Sequence, residues 1–301
     1  VRVLVIGSGG MLGNAVSSAL SGKVHLLTHS RPPDITSMLE VDEFFQASFH
    51  PFKPDFVINC AAYTNVDKAE QEKQECFFVN AIGPFNLAMI CGIFGAKLVH
   101  ISSDFVFSGN RGNYSEDDVP HPINWYGNSK LSGEYRIPRD KHYILRTAWL
   151  FGPGRQNFVT RIWDKFCREE KALVTWEIMG SPTYTVDLAS AIVELIEKKP
   201  PLGIYHVTNE GGIASKLSFA QEIENNFFKI KRKYGTVESL DHVPDTPAFR
   251  PRNTSLSTQK WRDAGMTPLR SWREALREFL EKYSQDFQAL PTANSSVIQK
   301  E

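Results

Sequence analysis

Val3-Leu4-Val5-Ile6-Gly7-Ser8-Gly9-Gly10-Met11-Leu12-Gly13 is the stretch that decides the fold. Four apolar residues, three of them β-branched, run straight into a glycine cluster, and the apolar spacing of Met11–Leu20 is helical. A strand must turn sharply at Gly7, Gly10 lets a pyrophosphate approach the backbone, and Gly13 lets the new helix pack close to the strand. The first helical N–H groups, those around Met11 and Leu12, would then meet phosphate oxygens. Glycine-rich turns abound, so the pattern alone is weak. Its place between a first strand and a first helix favours dinucleotide binding over a plain turn.

Outward from this loop the amino-terminal half alternates. Arg2–Ile6, Val24–Thr28, Asp55–Asn59 and Lys97–Ser102 are short β-rich runs, while Met11–Leu20, Val41–Phe49 and Asn80–Phe94 carry helical spacing. Such alternation predicts an α/β chain, a Rossmann-type doubly wound parallel sheet. Tyr143–Ala148 adds a strand. Asn157–Lys171, Val186–Lys198, Ser215–Phe228 and Trp272–Tyr283 read as later helices, with strand-like Leu173–Ile178 and Gly203–Val207 between them. Residues 1–150 are therefore expected to form the dinucleotide-binding core. Residues 151–284 are expected to form a smaller mixed α/β substrate-binding part, some of whose segments return to the core. Turn-rich sequence around Gly180-Ser181-Pro182 and at Asp241–Asn253 suggests loops folding over a site. Residues 285–301 read as a weakly ordered polar tail.

Composition narrows the function classes. The 34 basic and 34 acidic side chains balance, which gives no basic face for nucleic acid, and the Lys229–Lys233 run reads as a solvated helix end. No apolar run is expected to span a membrane, and the first residues form a strand rather than a leader, so a cytoplasmic location is expected. Cys60, Cys76, Cys91 and Cys167 lack metal-ligand spacing and read as buried thiols. The eight histidines form no recognisable ligand cluster, so no metal is expected.

Tyr126 and Lys130 stand four residues apart, on one face of a helix, where the ammonium can sit beside the phenol and make it easier to ionise. That suits a proton donor to a carbonyl. The cofactor subtype is carried by Leu26-Leu27-Thr28-His29-Ser30-Arg31, which lacks the acidic residue that would accept both adenosine-ribose hydroxyls. Ser30 and Arg31 could meet a 2′-phosphate, so NADPH is favoured over NADH; a solvated Arg31 is the plainer alternative.

The glycine loop, Asn59-Cys60-Ala61-Ala62-Tyr63-Thr64, Ser102-Ser103-Asp104-Phe105-Val106-Phe107, the Tyr126/Lys130 pair and Arg146-Thr147-Ala148-Trp149 together resemble the extended short-chain dehydrogenase/reductases. Within them the chain is most similar to the dTDP-4-dehydrorhamnose reductase family, over about residues 1–283, through Asn157-Phe158-Val159, Gly180–Ala189, Gly203–His206 and Arg250-Pro251-Arg252-Asn253. The resemblance implies NAD(P)H-dependent reduction of the 4-keto group of a nucleotide-linked 6-deoxyhexose. It implies a catalytic triad of Ser103, Tyr126 and Lys130, with Lys130 also holding the nicotinamide ribose. Ala61, Ala62 and Tyr63 would border the cofactor, and Asn80 would support the backbone there. Thr64, Asp104, Phe105, Trp149 and Arg250 would join Ser103 and Tyr126 on the substrate side. A homodimer is compatible with the family.

Two departures fall on that side. Phe105 and Ser108 replace the family's usual tyrosine and aspartate, and Trp176-Glu177-Ile178-Met179 precedes Gly180 in place of the usual Asp-Gln. They leave hydride chemistry intact and bear on which sugar is used. A nucleotide-sugar epimerase or dehydratase shares the motifs, and so does a non-catalytic subunit resembling the methionine adenosyltransferase β subunit.

Overall fold

The computed structural model describes residues 1–28, 32–233 and 235–289. The first half runs β1 (Arg2–Ile6), α1 (Met11–Leu20), β2 (His25–Thr28), α2 (Met38–Phe52), β3 (Phe56–Asn59), α3 (Lys73–Phe77), α4 (Gly83–Phe94), β4 (Lys97–Ser103), α5 (Trp125–Arg136) and β5 (Tyr143–Thr147). The second half runs β6 (Leu150–Phe151), α6 (Phe158–Cys167), β7 (Lys171–Thr175), β8 (Met179–Gly180), β9 (Thr183–Tyr184), α7 (Thr185–Lys198), β10 (Gly203–His206), β11 (Ala214–Ser215), α8 (Lys216–Lys231), β12 (Thr236–Leu240), α9 (Gln259–Asp263) and α10 (Trp272–Ala289).

Six strands form one sheet in the order β10-β5-β4-β3-β1-β2, and every adjacent pair is parallel. The chain steps outward from β1 to β2, then crosses back to β3, so the sheet is doubly wound and a crevice opens where the order reverses. Both faces are covered, which is why the strands read as unbroken apolar runs. On one face Val3, Val5, Ile58, Val99 and Leu145 pack with α1 and α7; on the other Leu4, Val57, Leu98 and Ile144 pack with α2 and α4. A second apolar cluster, built on Trp163, Phe219, Phe227, Trp272 and Phe279, holds α6, α8 and α10 together with β7. The later half also feeds the main sheet, because β10 pairs with β5 and α7 packs on α1.

Several boundaries differ from the sequence reading. The helix expected over Asn80–Phe94 begins at Lys73 and continues through a π-helical turn, Phe78–Ile82, into α4. That 22-residue stretch, with mean hydropathy 1.7 in its most apolar window, is long and apolar enough to cross a membrane, contrary to the expectation that no run approaches one. Half of that window is buried within the protein, against the sheet and α5. The helix expected over Asn157–Lys171 stops at Cys167, and the next strand starts at Lys171 because it pairs in parallel with β12, Lys171 opposite Thr236. β12 gives no alternating signal, Thr236 and Ser239 being exposed and the other three half-buried. The last helix reaches Ala289, five residues into the expected tail, and residues 290–301 lie outside the described residues. Among the thiols, Cys76 and Cys91 are buried, Cys60 is half-buried and Cys167 is exposed, so the expectation of buried thiols fails at the end of α6.

Two glycines seat α5. A Cβ at Gly127 would lie 2.1 Å from the Phe105 carbonyl oxygen, and one at Gly133 would lie 2.2 Å from that of Asn80 in the π-helical turn. The Asn124 side chain caps the helix by accepting from Gly127 N at 2.7 Å, and its amide donates to Phe249 O at 2.8 Å. Gly133→Ala must push α5 off this backbone and is expected to cost about 1–3 kcal/mol, measured by urea unfolding.

Candidate active site

A cleft of about 480 Å³ opens at the carboxyl ends of β1, β3, β4 and β5. Its floor is the glycine loop. Gly7 has φ +77°, and a Cβ there would sit 2.6 Å from Ala61 N, while one at Gly13 would sit 2.1 Å from Gly7 O. Neither position accepts a larger residue without moving backbone. Gly10 caps α1 with extended backbone, no side chain caps the helix, and no acidic residue stands in its first turn. Open N–H groups and a positive helix end therefore face the cleft, the arrangement that receives a dinucleotide's phosphates.

Of the residues expected to serve the cofactor, Gly10, Met11, Leu12, Ala61, Ala62 and Lys130 line the cleft. Gly7, half-buried, and Gly13, buried, are not among its lining residues. Ser30 and Arg31 lie outside the described residues. Tyr63 is not a lining residue: its hydroxyl bonds to Glu72, while Asn80 receives Tyr63 N–H at 2.9 Å and donates to Tyr63 O at 3.0 Å. Asn80 also donates to Ser129 Oγ at 3.0 Å. It thereby fixes the backbone beside the cofactor wall to α5, the supporting role expected for it.

The three candidate catalytic side chains meet in this cleft. Ser103 ends β4, its hydroxyl donating to Asp104 Oδ1 at 3.1 Å and accepting from Phe105 N at 3.2 Å. Ser102 is committed elsewhere, to Glu134. Tyr126 and Lys130 come from successive turns of α5, with Lys130 only 2% exposed and its ammonium donating to Ile101 O at 2.7 Å. Burial pulls the Lys130 ammonium down to about 8, partly resisted by the Glu134 carboxylate. Burial drives the Tyr126 phenol up to about 12; the Ser103 side chain lowers it, and Asp104 and Cys76 raise it. The expected easing of phenol ionisation is thus not what the protein alone produces, because desolvation of the phenolate outweighs the lowering by Ser103.

Of the residues expected on the substrate side, Thr64, Asp104, Phe105 and Trp149 line the same cleft. Asp104 is buried and pushed up to about 6 by desolvation, opposed by bonds from Thr254 and Ser103 and by the charge of Lys216. The Phe105 ring stands edge-on to Tyr126, centroids 5.8 Å apart. Trp149 adopts φ +46°, unusual for so bulky a residue. Gly180 admits its indole, since a Cβ there would lie 2.6 Å from the ring. Arg250 is not among the residues lining this cleft. Its guanidinium pairs with Asp67 at 2.7 Å and borders a neighbouring depression with Trp176 and Arg252.

The sequence reading missed Lys216, Arg155 and Arg161, which add positive charge to the cleft wall from α8, the loop before α6, and α6. Lys216 lies 3.5 Å over the Trp149 ring and 4.5 Å over Phe158. Burial lowers it to about 7, with Asp104 opposing. Its only sequence signal is a lysine just after Ser215, the cap of α8. Among the described residues, no group of three or more His, Cys, Asp or Glu is placed to hold a metal ion.

Comparison with known proteins agrees with this geometry. The family profile described as RmlD substrate binding domain matches residues 1–285. The chain is 37% identical over 284 residues to the dTDP-4-dehydrorhamnose reductase of Mycolicibacterium smegmatis, covering 92% of this chain and 84% of that protein. Its fold matches a crystal structure of a dTDP-4-dehydrorhamnose reductase from Clostridium acetobutylicum with TM-score 0.86 at 35% identity, covering 94% of this chain and all of that one. The Bacillus anthracis dTDP-4-dehydrorhamnose reductase, solved in complex with NADP, matches with TM-score 0.86 at 34% identity, covering 93% and 99%. With its glycine-floored cleft and its α/β architecture, the chain belongs to the RmlD substrate binding domain family of short-chain dehydrogenase/reductase-like proteins.

Proposed function

We propose that this protein reduces the 4-keto group of dTDP-4-dehydrorhamnose to the alcohol of dTDP-rhamnose, using NADPH in preference to NADH. The observation that carries the reading is the convergence of Ser103, Tyr126 and Lys130 on the cleft whose floor is the glycine loop. The reductase names of the relatives, and the NADP held by the Bacillus anthracis enzyme, support the substrate and cofactor classes. In this reading residues 1–150 supply most of the cofactor side and residues 151–284 most of the substrate side. The protein works in the cytoplasm on a small nucleotide sugar, without nucleic acid or membrane, and a homodimer suits it.

NADPH, held by the glycine loop and Lys130, would supply the hydride, its ring becoming positively charged as the hydride leaves. The protein's own groups do the rest. Ser103 turns its hydroxyl from Asp104 to the ketone oxygen, stabilising the charge that builds there. Tyr126 gives that oxygen its proton, and the buried Lys130 ammonium favours the phenolate left behind. Lys130 also has donors to spare for ribose hydroxyls. Trp149 offers a flat face to the sugar or base, and Lys216 with Arg161 faces the diphosphate, whose charge would restore full protonation of Lys216. Phe105 removes a hydroxyl from the sugar's surroundings, which tunes the choice among 4-keto-6-deoxyhexoses.

Three outcomes test the reading. Tyr126→Phe should lower kcat by about 10²–10⁴-fold with NADPH affinity little changed, followed by loss of NADPH absorbance on dTDP-4-dehydrorhamnose. Lys216→Met should raise KM for the nucleotide sugar by roughly tenfold, about 1.4 kcal/mol, with kcat nearly intact. Lys130 is charged below its midpoint and neutral above it, so kcat, which reports the complex in which the diphosphate keeps Lys216 protonated, should be full in mildly acidic buffer and fall as pH rises through about 8. A folded protein that consumes neither NADPH nor NADH with this substrate would refute the proposal.

A further inference from the structure

One turn beyond Lys130, α5 places a carboxylate that the reduction as described does not use. Glu134 is fully buried and Arg146, on β5, is 1% exposed. Arg146 grips it with Nη2 at 2.7 Å from Oε2 and Nε at 2.9 Å from Oε1. Ser102 Oγ donates to the same carboxylate, so one side chain joins α5, β5 and the end of β4. The guanidinium is enclosed further by the Phe107 ring, 5.1 Å from its carbon, and by His206 Nε2 at 3.4 Å from Nη1.

A dry ion pair of this kind is a poor device for stability. Removing two charges from water costs several kcal/mol, and apolar side chains of equal volume commonly serve as well or better. Apolar side chains could not place a fixed anion one turn from Lys130, nor receive the hydroxyl of the residue preceding Ser103. Resting on the function proposed above, we propose that Glu134 is a positioning residue for the reduction: clamped by Arg146, its carboxylate keeps the Lys130 ammonium charged and pins Ser102 so that Ser103 faces the cleft.

The other groups around Lys130 cannot take over the electrostatic part. Cys60 follows β3, Cys76 lies on α3, His100 on β4 and Tyr126 on α5. Burial pushes Cys60 to about 12, raises Cys76 and drives Tyr126 to about 12, so all three are uncharged at neutral pH. Burial and the Lys130 charge hold His100 well below its ordinary value, so it is neutral too. The Ile101 carbonyl offers a dipole only. Among these groups Glu134 alone is an anion.

The test titrates Lys130 directly. Protein carrying ε-¹³C-lysine is followed by NMR against pH, the Lys130 signal being identified by its loss in Lys130→Met, and kcat is profiled in parallel. Glu134→Gln is expected to move both the Lys130 midpoint and the alkaline limb of activity down by about one pH unit, so that activity near pH 8 falls roughly fivefold while that near pH 6 is largely kept. Glu134→Asp should return both toward the wild-type position. An unmoved Lys130 midpoint in folded Glu134→Gln overturns the proposal, as does a moved midpoint with an unmoved limb. If Glu134→Gln leaves Arg146 unpaired and fails to fold, Glu134→Gln with Arg146→Met removes both charges, and the same shift or its absence decides. Wild-type protein that shows the Lys130 titration but reduces no nucleotide sugar refutes the reductase reading instead, separately from the link between Glu134 and Lys130.

Discussion

Keeping an ammonium group dry is the constraint around which this structure is organised. Lys130 is almost wholly removed from water, a placement that favours the neutral amine unless the surroundings resist it. The resistance comes from the Ile101 carbonyl on β4 and from Glu134 on the helix itself, so the cation is held between sheet and helix. That is achieved only if α5 lies close to the end of β4; Gly127 lets it approach Phe105, just beyond that strand, and Gly133 lets it approach Asn80 in the π-helical turn. Ser102 then hands its hydroxyl to Glu134, which leaves Ser103 to face the cleft. Packing and chemistry are set by the same few backbone contacts.

Much of this was legible in the order of the residues. The first strand, glycine turn and first helix are local features, and the doubly wound sheet follows from their alternation with Lys97–Ser103 and Tyr143–Thr147. The Tyr126 and Lys130 spacing carried one face of α5 for the same reason. What escaped depended on contacts between distant segments. β12 exists because it pairs with β7, more than sixty residues earlier in the sequence, and its exposed and half-buried side chains advertise nothing. Lys216 and Arg161 reach the cleft only through the packing of α6 against α8. Arg250, expected on the substrate, is paired with Asp67, a partner 183 residues away that no local pattern names. The direction of the Tyr126 shift was likewise not in the spacing, because burial rather than proximity decides it.

The cleft has a chemical polarity that follows from its two walls. The sheet side offers small, uncharged surface at Ala61 and Ala62 and the open end of α1, which suits a flat ring and phosphates. The opposite wall carries Lys216 and Arg161 beside Trp149 and Phe158, with buried Asp104 between the walls. Two groups with opposite charges, Asp104 raised to about 6 and Lys216 lowered to about 7, stand ready to respond to whatever charge enters. An anionic ligand favours the protonated form of both, so the wall becomes more positive as it is approached by phosphate.

The return of β10 to the edge of the main sheet has a consequence for how the chain is born. When residues up to Thr147 have left the ribosome, five strands can pair, but β5 forms a bare rim with unsatisfied peptide groups. More than fifty residues of the second half must emerge before Gly203–His206 can seal that rim. Synthesis therefore leaves a nascent amino-terminal half with one sticky margin for the seconds needed to make the rest, at about 5–20 residues per second. Completion of the sheet, and with it a finished cleft, waits until synthesis has passed His206 and the cleft-lining Lys216 and Phe219.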